Sequence, residues 1–74
     1  MSPRSADQFE EMRNQSREAI LDAAMELFAT QGFHNTSISQ ITKKAGVSKG
    51  LVYNYFEKKE DLMKGIMMRL VSEG

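Results

Sequence analysis

The chain has no cysteine, which excludes disulfides and thiolate metal sites. It has one histidine, His34, and a lone imidazole holds no metal unless several carboxylates converge on it. No apolar run approaches the roughly 20 residues that a membrane span needs. The opening MSPRSADQFEE lacks the apolar core of a secretory signal. Strand patterns, internal repeats and low-complexity runs are absent as well. These absences lead to the expectation of a soluble, cytoplasmic, all-α chain with no metal, no cofactor and no membrane partner. No nucleophile–base pair can be named either, so enzymatic function has no support.

What is present is one small domain of 74 residues. A chain of this size buries only about 60% of its unfolded surface, so its stability margin is thin. Net charge is zero, but the charges are segregated. Residues 1–26 carry three bases (Arg4, Arg13, Arg17) and six acids (Asp7, Glu10, Glu11, Glu18, Asp22, Glu26), a balance of −3. Residues 27–56 carry Lys43, Lys44 and Lys49 with no acid at all, a balance of +3. Residues 57–74 carry four of each and cancel. Local sign matters more than total charge for docking on a polyanion.

The periodicity gives four helices. Residues 1–13 read as a flexible or partly helical arm, and 14–74 as the domain. Two starts for the first helix stay open: Ser5 with Gln8 three residues on, a capping-box pattern, or a later one at Asn14 or Ser16. Ile20, Ala23, Ala24, Leu27 and Phe28 follow the stripe of an amphipathic helix, while Glu18, Asp22 and Glu26 form an acidic row on another face. Gly32 sits where a left-handed residue would stop it. Phe33 is expected as a core anchor beneath the connection that follows. Ser37 with Gln40 is a second capping box, opening a short helix with Ile38, Ile41 and Ala45 on its apolar side and Gly46 at its end. Ser48 caps a third helix running to about Tyr55, from which Leu51, Val52 and Phe56 can face inward. A fourth helix begins near Lys58, with Leu62, Ile66 and Leu70 as its apolar row and Met63, Met67 and Met68 as core filler or interface.

Two short helices joined by a tight turn containing glycine form a helix-turn-helix, here spanning about 37–56. In that motif the second helix leads into the DNA major groove with its N-terminal residues, here Ser48, Lys49, Gly50 and Leu51. Gly50 costs about 1 kcal/mol of helix propensity relative to alanine, which makes sense if another surface must approach the backbone there. Lys49, Tyr53, Asn54 and Tyr55 crowd the same few turns with donors suited to phosphate and base edges. Simpler readings stand beside this one. Tyr53 and Tyr55 are two apart and cannot share a helix face, so at least one is exposed whatever its role. Leu51 divides between core and groove. Lys43, Lys44 and Lys58 suit a solvated face, and His34 a loop. AGVSKG lacks the spacing of a nucleotide-binding phosphate loop. Two rival functions remain: a small helical protein–protein interaction module, and, less well supported, a membrane-surface helix, which the acidic first helix opposes.

The elements ILDAAMELFATQGFHNTSISQI, AGVSKGLVYNYF and KKEDL, together spanning 20–62, resemble the N-terminal DNA-binding domain of tetracycline-repressor (TetR) family bacterial regulators. The resemblance implies a homeodomain-like three-helix bundle containing the helix-turn-helix, plus the start of a fourth helix. It implies a sequence-specific head of a ligand-responsive repressor. Ser37 would open the second helix close to a phosphate. Ser48, Lys49 and Gly50 would meet the groove. Tyr53 and Tyr55 match phosphate-clamping positions, as does Lys59 at the start of the fourth helix. Leu51 and Asn54 occupy the variable positions that read sequence. The implied partners are double-stranded DNA, one half-site of a pseudopalindromic operator per head, and a second copy in the intact protein. A small-molecule inducer would bind a C-terminal ligand and dimerisation domain that this chain does not contain, so no residue here is assigned to it.

Overall fold

The computed structural model describes residues 4–73, with side chains described from 15 to 72. Four helices follow one another, α1 (Arg4–Gln31), α2 (Ile38–Ala45), α3 (Lys49–Tyr55) and α4 (Lys59–Glu73), and no strand occurs among the described residues. α1 touches all three of the others.

α1 is continuous from Arg4, close to the earlier of the two starts that the sequence left open. The stretch 4–14 contains no glycine, proline or β-branched residue, so nothing in it interrupts a helix. The Ser5–Gln8 pair lies outside the residues whose side chains are described. Ile20, Ala23 and Ala24 are buried as the stripe requires, with Leu27 and Phe28 packed at its edge. Leu21, which the stripe omits, is also fully buried. It belongs to a second buried face of α1, turned toward α4.

Both glycines expected to stop helices do so. Gly32 has φ +92° and donates its N–H to Phe28 O at 3.0 Å. Gly46 has φ 73° and ψ 33°, with its N–H on Thr42 O at 2.9 Å. A left-handed residue costs glycine nothing sterically, whereas any side chain would be strained there. Ser37 and Gln40 form the reciprocal capping box, Gln40 N–H to Ser37 Oγ at 3.1 Å and Ser37 N–H to Gln40 Oε1 at 3.0 Å. Ser48 Oγ accepts the Leu51 N–H at 3.1 Å. Thr36, not singled out by the sequence, is 2% exposed. Its hydroxyl lies 2.9 Å from Gly32 O and 3.3 Å from Leu27 O, and so ties the turn that follows α1 back to the helix.

α4 runs antiparallel to α1. Lys59 meets Phe33, Gly65 faces Leu21, and Arg69 reaches Glu18. Leu62 and Ile66 are buried in this contact, but Leu70 is 58% exposed and corrects the expected three-residue row. Eight residues of a 3.6-residue helix rotate by about 80°, which carries position 70 off the face that 62 sets. Arg69 occupies the contact in its place. Met67 and Met68, five and six residues past Leu62, lie on the far side of the helix, are exposed and do not fill the core, while Met63 is half-buried.

The acidic row on α1 is not simply solvated. Arg69, whose side chain is 17% exposed, bonds Glu18 through Nη1 and Asp22 through Nη2, the latter at 2.8 Å. The Glu18 hydrogen bond raises the guanidinium pKa above its ordinary value, against the lowering effect of burial. Glu26 pairs with Lys44 of α2 at 3.1 Å. With the carboxylates this exposed, each pair contributes about 1 kcal/mol or less. Their main effect is on orientation, since they tie α4 and α2 to one side of α1.

Gly65 permits the close approach of α4. A Cβ at this position would lie 3.0 Å from Leu21 Cδ2 and 3.3 Å from Phe56 Cε1, two buried side chains with little room to move. Alanine gains about 1 kcal/mol of helix propensity. Overpacking a filled core costs about 1–3 kcal/mol. Gly65→Ala is therefore expected to destabilise the domain by about 1 kcal/mol net. Urea denaturation checks this, and a rise in the midpoint would show that Leu21 can step aside. Ser48→Ala removes an N-cap and should lower stability by a similar amount, about 1 kcal/mol, in the same experiment.

Candidate nucleic-acid interface

α3 has two unlike faces. Val52 is fully buried, and Phe56, at the helix's C-terminal cap, is 6% exposed. Both lie in the core cluster with Ile20, Leu21, Ala24 and Ile41. These contacts fix the rotation of α3 about its own axis. The opposite face then presents Ser48, Lys49, Gly50, Tyr53 and Asn54 to solvent. Tyr53 is 49% exposed. Gly50 has no internal packing reason: a Cβ there would meet only Ser48 Oγ, at 4.0 Å. Leu51 is half-buried, between the two faces.

The two tyrosines separate as their spacing requires. Tyr53 points outward, whereas Tyr55 is partly buried against the core, its ring 6.2 Å from that of Phe56. Ser37 is exposed at the start of α2, and Ser48 at the start of α3. Each hydroxyl accepts a backbone N–H as a cap and keeps its own proton to donate.

Lys59 stands at the joint between α4 and the α1–α2 connection. Its Nζ donates to Phe33 O at 2.7 Å and lies 4.5 Å from the centroid of the Phe33 ring. The ring is steadied by Phe28 at 5.1 Å and carries His34 edge-on at 5.6 Å. Phe33 is thus partly buried and does anchor its connection, but through Phe28 and Lys59 rather than from within the main core. Because the partners are 26 residues apart, no periodicity could have found this contact. Another missed residue is Asp61, whose carboxylate accepts the Glu57 N–H at 3.1 Å and orders the turn from α3 into α4.

The charge on this side is lower than the count over 27–56 suggests. Lys44 is drawn to Glu26, which falls one residue outside that acid-free window. Lys43 and Lys49 remain exposed, with Lys58 beyond. Among the described residues no group of three or more histidines and acids is placed to hold a metal ion, and no helix is long and apolar enough to cross a membrane.

Residues 20–66 match the family model of bacterial regulatory proteins of the tetR family. Over 44 residues the chain is 48% identical to the fatty acid metabolism regulator protein of Bacillus subtilis, covering 60% of this chain and 23% of that one. It is 44% identical over 52 residues to the HTH-type transcriptional regulator AcrR of Shigella flexneri, covering 70% of this chain and 24% of AcrR. To the HTH-type transcriptional regulator BetI of Escherichia coli it is 34% identical over 62 residues, covering 84% of this chain and 32% of BetI. In these three comparisons the chain spans about a quarter to a third of the relative's length. The match runs through α2, the Gly46 turn and α3, the elements that form the two-faced unit described above. By that match over most of its length, the chain belongs to the tetR family of bacterial regulatory proteins and carries the family's helix-turn-helix domain.

Proposed function

We propose that this domain is the sequence-specific DNA-binding head of a ligand-responsive repressor, and that α3 enters the major groove. The observation that carries the reading is the division of α3. Val52 and Phe56 lock one side into the core, and the other side offers Ser48, Lys49, Gly50, Tyr53 and Asn54 with no acid among them. Lys49 and the exposed N-terminal turn would lead into the groove. Gly50, with open space over its Cα, would let the DNA backbone or a base edge come close. Leu51 and Asn54 would read bases. Ser37, Tyr53, Tyr55 and Lys59 would hold phosphates on either side. In the whole protein, two such heads would bind the halves of a pseudopalindrome, and a small molecule bound elsewhere in the dimer would alter their separation. A single head loses the second half-site and its effective concentration, so it should bind weakly.

A second reading has one observation in its favour: Met67, Met68, Leu70 and Val71 leave an apolar surface on α4, as a protein-interaction module would.

Titration of the domain with random-sequence duplex DNA at low salt, followed by amide chemical shifts, distinguishes the two. Perturbations gathered on Ser37 and on 48–59, fading as salt is added, are the expected outcome, because counterion release drives such docking. Silence at 48–59, both for the single head and for a covalently linked pair, would transfer the assignment to protein interaction. Tyr53→Phe removes one hydroxyl from a half-exposed ring, and is expected to weaken DNA binding while leaving the melting temperature unchanged. A collapse in thermal stability would make that hydroxyl structural. Lys59→Ala should lower the salt slope of binding by about one unit, as loss of one phosphate contact does. An unchanged slope would remove Lys59 from the phosphate contacts.

A further inference from the structure

We infer that Phe33 is a positioning residue for DNA binding, holding the Lys59 ammonium in place for a phosphate before DNA arrives. The inference rests on the DNA-binding reading above and adds to it a residue that touches no DNA. Three observations carry it. Lys59 Nζ donates to Phe33 O at 2.7 Å, the length of a charge-assisted bond. The same nitrogen sits 4.5 Å from the Phe33 ring centroid, within cation–π range. The ring itself is braced by Phe28 at 5.1 Å. An ammonium has three N–H donors, and this arrangement occupies one of them with the carbonyl. The ring covers another side of the ammonium, and the side left over would meet a phosphate oxygen.

A free lysine samples many rotamers and loses that freedom when it clamps a phosphate. Here two contacts from one residue restrict the side chain in advance. The carbonyl also accepts the Thr36 N–H at 3.3 Å, so it belongs to the turn that delivers Ser37. One backbone group thereby links the start of α4 to the start of α2, and the two phosphate-facing positions keep a fixed spacing. The ring supplies the part of this hold that a substitution can remove without touching the backbone.

The test is a double-mutant cycle on the 74-residue chain, with Phe33→Leu, Phe33→Tyr, Lys59→Met and the combination of Phe33→Leu with Lys59→Met. Dissociation constants for a duplex are measured at several salt concentrations, with melting temperatures alongside. Phe33→Leu should weaken binding by about two- to fivefold, the factor matching an exposed cation–π contact. Phe33→Tyr keeps the ring and should restore wild-type affinity. In the Lys59→Met background, Phe33→Leu should have no further effect. Equal weakening in both backgrounds, or none in either, overturns the inference while leaving DNA binding intact. Absence of binding by the wild-type chain and by a linked pair overturns the DNA-binding reading and the inference with it. A measurement on the wild type alone covers the case in which Phe33→Leu does not fold. The Lys59 ε-methylene protons should show an upfield ring-current shift, and their resonance at the solvent-lysine position would overturn the inference.

Discussion

Seven residues cannot sustain a helix in water on backbone hydrogen bonds alone, because nucleation consumes more conformational entropy than so few bonds return. α3 (Lys49–Tyr55) is such a helix, and it persists because tertiary burial supplies what its length cannot. Val52 and Phe56 close onto α1 and α2, and Ser48 caps the free N–H of Leu51. The rest of the molecule follows from this dependence. α1 must present enough apolar surface to hold α3 and α4 together, which is why Leu21 is buried along with Ile20 and Ala24. The turn between α2 and α3 must be tight, which is why Gly46 adopts a left-handed backbone. The solvent face of α3 is then whatever the buried face leaves over. Rigid presentation of Lys49, Tyr53 and Asn54 is thus a consequence of core packing rather than of any contact those residues make.

The same economy governs charge. A neutral chain can dock on a polyanion only if its acids are kept away from the docking side. Here Glu18 and Asp22 are engaged by Arg69, and Glu26 by Lys44. The acidic row therefore lies on the side of α1 that α4 and α2 grip, and it orients those helices by electrostatic attraction. The arrangement draws Lys44 away from the exposed bases. Lys49 is left as the exposed base on α3.

α4 is more than a continuation of the chain. Its first turn joins the domain through Lys59 and Phe33, its middle passes over Leu21 at Gly65, and Arg69 ties its last turns to α1. The first fastening holds α4 to the α1–α2 connection, and the other two hold it to α1 itself.

Local chemistry was legible in the sequence because it acts over a few residues. The glycine stops at 32 and 46, the caps at Ser37 and Ser48, the extent of α3 and the all-α class follow from interactions no longer than one helical turn. The spacing of those signals across three helices was specific enough to indicate the family. Where the pattern fell short, the cause was a partner far away along the chain. Leu21 is buried because α4 passes over it, Leu70 is exposed because the helix rotates past its contact, and Lys44 is paired because Glu26 comes from another helix. Lys59 could be placed near phosphate by resemblance, but its hold on Phe33 spans 26 residues. Gly65 gave no sign of its role until a second helix lay against it. The sequence by itself determined which segments are helices and where the first three stop, since those are local balances of propensity and capping. Only the tertiary structure decided which face of each helix is buried and which charges remain unspent, because both depend on what the opposing helix brings to the contact.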